Sequence, residues 1–252
     1  MQTLKSLIAG LALSAVFVLS AFAAPVEISL APNTSYYVDS FDYTSSEANL
    51  TVTGWSNKSS YNNSIVKDKI GRWKDYGLGV EALNSPHHAV DNAYNDYDGL
   101  LFSFDKIVEV SGLGIGWYQN DADVSLLAYT GKDPFGGSLS GTWASLLDNG
   151  WSVVGNYDRN STGNFAVNEG TPAVTAQYWL VGAYNSVFGA LNTQTSYRST
   201  WPTNNTDYFK LNSITIEAVR PDNPPVDVAE SGSLILVLLG LAGLCIVRRR
   251  TV

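Results

Sequence analysis

The stretch Ser85-Pro-His-His-Ala-Val-Asp-Asn-Ala-Tyr-Asn-Asp-Tyr-Asp98 carries more reactive side chains than any other part of the chain. It holds both histidines, His87 and His88. It also holds Asp91, Asn92, Asp96 and Asp98, with Asn95 between them. Oxygen ligands at that density suit Ca²⁺, which takes about six to eight of them at flexible geometry. The spacing is not that of an EF-hand, whose central glycine and final glutamate are absent. A polar loop whose Asp and Asn side chains cap turns is the plainer alternative. The histidines and Asp91 could also serve as a base and its orienter. No nucleophile is tied to them, and Gly-x-Ser-x-Gly and His-Glu-x-x-His are absent.

Two other chemistries compete with this one. A pair of carboxylates could hydrolyse glycosides, but Glu81, Glu109, Glu169 and Glu217 are scattered along the chain. Glu109 and Glu217 fall inside apparent strands, where a solvated charge is the default. Aromatic side chains could instead stack on carbohydrate, since the chain has 7 Trp and 14 Tyr. Most sit in apolar runs and belong to a core. Tyr197 and Trp201, beside Arg198, Ser199 and Pro202, look most loop-like and are the candidates for a carbohydrate contact.

The elements that would position these residues read as strands. Leu100 to Phe104 alternates large apolar and small residues, and Leu113, Ile115 and Trp117 are spaced at two. Phe209, Leu211, Ile214 and Ile216 alternate with Lys210, Thr215 and Glu217. Short runs of this kind between Gly, Asn, Asp and Ser turns predict an all-β fold. The expectation is an antiparallel β-sandwich, jelly-roll-like, over residues 24–220. Thr142 to Leu147 could add a turn or two of helix before Asn149-Gly150. The lone Cys245 excludes internal disulfides, so an apolar core must hold the domain. Without Lys5 and three terminal arginines, 11 of the 15 basic residues face 23 acidic ones. Such a domain repels nucleic acid and anionic lipid. Divalent cations are a more natural partner, and the plainer alternative is that the acidity serves only solubility.

Both ends of the chain carry addresses. Lys5, an apolar run from Leu7 to Phe22 and the small residues Ala21 and Ala23 have the build of a signal peptide. Cleavage after Ala23 makes residues 1–23 the leader. Pro221-Asp-Asn-Pro-Pro225 opens a stiff linker, residues 221–230. Residues 231–252 then form a single hydrophobic transmembrane helix: Leu234 to Val247 is uncharged, and Arg248, Arg249 and Arg250 follow as a stop-transfer cluster.

The order Val228-Ala229-Glu230-Ser231-Gly232, apolar span, arginines resembles the sorting signal of PEP-CTERM proteins. Ala229 and Ser231 stand where that family usually has proline. Six domain segments, among them Tyr76–Val80, Asp98–Phe104 and Asp207–Leu211, also look like one branch of those proteins. The resemblance implies an exported, non-enzymatic surface or matrix protein of a Gram-negative bacterium that makes extracellular polysaccharide. It implies crossing of the inner membrane and processing by an exosortase. It supplies no catalytic residues. A plain retained membrane anchor is the alternative for the tail. For the domain, the alternatives are a calcium-stabilised carbohydrate-binding module holding exopolysaccharide and a secreted hydrolase.

Overall fold

Phe209, Leu211, Ile214 and Ile216 are fully buried, as the alternation near the end of the domain requires. Their face is kept despite the odd step between Leu211 and Ile214, because the strand bulges between Leu211 and Ser213. The computed structural model describes residues 24–57, 63–81, 88–133, 135–192 and 206–219. These fall within one unit, Phe22–Val219. The export signal, the sorting motif, the apolar tail, His87, Tyr197 and Trp201 lie outside the described residues.

The described chain is built from strands β1 (Val26–Ser29), β2 (Ser35–Val38), β3 (Phe41–Thr44), β4 (Asn49–Asn57), β5 (Ile65–Asp68), β6 (Ile70–Trp73) and β7 (Gly77–Val80). It continues through β8 (Val90–Asp91), β9 (Asp98–Asn120), β10 (Val124–Tyr129), β11 (Trp151–Tyr157), β12 (Gly163–Ala166), β13 (Thr175–Ala183) and β14 (Asp207–Ala218). All pairings between these strands are antiparallel. The fold is all-β and sandwich-like.

β9 joins the two halves. Its first part, Asp98–Phe104, lies between β4 and β13. Its later part, Val108–Asn120, pairs with β14 along its length and with β12 at Gly112–Ile115. The exposed residues Asp105, Lys106 and Ile107 separate the two parts. The sequence suggests two strands here, and the backbone runs through as one. On one side of the join the order is β4, β9, β13, β10, β11; on the other it is β9, β14, β7, β6, β2.

Leu100, Phe102 and Phe104 point into the main core with Val52, Trp179 and Phe209. Leu101 points the other way, into a second cluster with Trp55, Leu127, Trp143 and Leu180. A 3₁₀ turn, Ala144–Asn149, carries Leu146 into that cluster and stops at Gly150, whose φ of 87° suits glycine. This is the short helical stretch expected near Thr142. Covering both faces of the β4–β9–β13–β10 region explains why so many tryptophans are buried rather than displayed.

Candidate metal centre

Both ends of β9 return to one end of the domain. Gly99 pairs with Gly182, and Asn120 pairs with Asp207. Asn92 ties these ends together. Its Nδ2 donates to the Tyr184 carbonyl (3.0 Å) and to Asp207 Oδ2 (2.6 Å), and its Oδ1 accepts from the Asp207 backbone N–H (2.8 Å). The Asp123 backbone N–H donates to Asp207 Oδ1 (3.0 Å). The pairing of β9 with β14 and the turn after β9 therefore bring Asp121, Asp123 and Asp207 together. One carboxylate oxygen from each lies within 4.8 Å of the others.

Asp207 is 3 % exposed and Asp123 7 %. Burial pushes the Asp123 carboxyl up to about 7, against the pull of the Arg159 N–H, with Asp121 adding repulsion. Burial, then the Asp123 charge, holds Asp207 well above the usual carboxylate range. Asp121 is raised as well, again chiefly by burial. Among the described residues, no lysine or arginine side chain pairs with any of the three. Three carboxylates this close cannot all be ionised without a cation between them; without one, at least one of them holds a proton. The donor set is all oxygen, which suits a hard cation such as Ca²⁺.

The ligands expected from sequence are split. Asn92 joins this group through Asp207. Asp91 and Asp98 form a separate buried pair, where the Asp91 N–H donates to Asp98 Oδ2 (3.4 Å). Burial, then the charges of Asp91 and Asp96, raises Asp98 well above the usual range. Asp91 Oδ1 accepts from the Ala93 N–H (3.0 Å), which is the turn-capping role of a polar loop. Asp121, Asp123 and Asp207 are missing from the set read in sequence. Asp121-Ala-Asp123 was a weak local signal, and Asp207 is adjacent only through strand pairing.

His88 does not meet Asp91 as a base meets its orienter. Its Nε2 lies 3.2 Å from the Tyr37 hydroxyl and its ring faces Trp73, while its buried Nδ1 has no hydrogen-bond partner. Glu109 and Glu217 stand directly opposite each other in the β9–β14 ladder. Burial and then Glu217 raise Glu109. Neither lines the small pocket formed over Gly182 by Tyr97, Leu127, Trp143, Leu180 and Phe188. That pocket encloses about 210 Å³ including its mouth.

No family model matches the chain, and no curated protein or solved structure is significantly similar to it.

Proposed function

We propose that the chain is a non-enzymatic exported protein of the surface or extracellular matrix of a Gram-negative bacterium. Its β-domain is a jelly-roll-like sandwich, and its tail is a PEP-CTERM-like sorting signal processed by an exosortase. One observation carries this reading: the order of Glu230, the uncharged span Leu234–Val247 and Arg248–Arg250, placed after the last strand ends at Ala218. The arginines would hold the span in the inner membrane while the region around Glu230 meets the protease. Reversing all three to glutamate tests this by cell fractionation. Loss of membrane retention and of processing is expected; unchanged association and processing would contradict it.

The aspartate end supports a second reading: a calcium-stabilised module that holds exopolysaccharide. Asp121, Asp123 and Asp207 would hold the ion, with Asn92 fixing Asp207 through two hydrogen bonds. Melting the purified chain with calcium and with a chelator checks it. An unchanged melting temperature removes this reading and leaves the first intact.

A further inference from the structure

Strand β2 bears two neighbouring tyrosines, Tyr36 and Tyr37, that are 53 % and 43 % exposed. Neighbouring strand residues normally point to opposite faces. Here Tyr37 has φ +58° and the β2–β6 register shifts between Ser35 and Val38, and both rings come together at 6.0 Å. Tyr36 also lies 5.6 Å from Trp73, and Tyr37 lies edge-on to His88 at 5.4 Å. His88 is itself left-handed, at φ +47°. A bulky residue in that region costs about 1–3 kcal/mol and persists where its surroundings hold it. Both residues so strained meet through one contact, Tyr37 Oη to His88 Nε2.

A phenol and an imidazole nitrogen can each donate or accept, so this contact holds the two side chains together in either tautomer of His88. Beneath the tyrosines, Lys210 Nζ lies 4.7 Å from the Trp73 ring centre and 4.1 Å from that of Trp117. Lys210 is 6 % exposed, so its charge stiffens the stack from below and does not reach a ligand above it. The rim thus offers π-faces and tyrosine hydroxyls, with no accessible charge from this stack.

We propose that Tyr36 and Tyr37, backed by the stacked pair Trp73 and His88, form a stacking site for neutral pyranose units of a polysaccharide. A pyranose matches the surface because it presents C–H groups on its ring face and hydroxyls at its rim. A wholly apolar partner would cover the tyrosine hydroxyls and offer them no hydrogen bond of its own. An acidic polymer would meet the field of an acidic domain. The proposal deepens the carbohydrate-holding reading and names residues other than Tyr197 and Trp201 for it. It does not depend on the tail, because binding by the purified chain is measured without sorting.

The test is affinity electrophoresis of the full chain through gels containing dextran, galactomannan, soluble β-glucan or alginate. Retardation by at least one neutral polymer is expected. Tyr36→Ala should weaken it about fivefold, a loss typical of one aromatic contact. Its exposed side chain makes it the safest truncation, and an unchanged thermal melt would confirm that the fold is kept. Tyr94→Ala, at another exposed tyrosine, should change nothing. Three results would each overturn the site: no retardation by any neutral polymer, retardation by alginate alone, or retardation that Tyr36→Ala leaves intact.

Discussion

The aspartate end and the Lys210 stack bury charge in opposite ways. At Asp121, Asp123 and Asp207, like charges meet, and among the described residues no lysine or arginine side chain is paired to them. At Lys210, two indole faces receive the ammonium, and Asp91 adds a favourable charge. Desolvation leads in both places, with opposite sign: it pushes Asp123 up to about 7 and Lys210 down to about 8. The stack is complete as it stands. The aspartates are complete only with protons or a cation, which is why they are the candidate ion site.

The contrast is broken or sharpened most strongly by pH. An aspartate raised to about 7 destabilises the folded chain once the unfolded chain has ionised. Its stability is therefore full below about pH 4 and is lost as pH rises through about 7. The loss from Asp123 alone is about 4 kcal/mol. Denaturant unfolding in chelator should show this fall, and calcium should remove most of it. Asp121→Asn, which takes away one charge from the group, should flatten the fall and blunt the calcium response. A pH profile equal in chelator and calcium would mean that protons alone balance the cluster.

Lys210 should behave in the reverse sense. A lysine lowered to about 8 is penalised while both states are protonated, so stability should rise between about pH 8 and pH 10. Lys210→Met keeps the stem between Trp73 and Trp117 and should abolish that rise. The effect should be about 3 kcal/mol at neutral pH before the lost cation–π contacts are set against it. Urea unfolding at pH 7 and pH 9.5 reads both quantities. The mildest case is Glu217, opposite Glu109 in the ladder. Both are only half-buried, so Glu217→Lys should stabilise by about 0.5 kcal/mol, read as a small rise in denaturant midpoint.

Much of this frame was legible in sequence. The period at Phe209–Ile216 gave β14, and the Asn149-Gly150 stop gave the end of the 3₁₀ turn. The short strands Val26–Ser29 and Ile70–Trp73 were not, because four residues are too few for a period to emerge. The join within β9 was hidden because Asp105 and Lys106 look like a turn. The ion site was hidden for a stronger reason. Asp207 meets Asp123 only after β14 pairs with β9, so local density drew attention to Asp91, Asp96 and Asp98 instead. Tyr36 and Tyr37 carry no sign of sharing a face, since the alternation rule places them apart and only the positive φ at Tyr37 overrides it.

Export and sorting are the central claim, and intact-mass spectrometry of the mature protein from its native host tests them most directly. The expected chain begins at Ala24 and ends near Glu230. A chain that still begins at Met1, or that runs on through Leu234–Val247 to Val252, would contradict it.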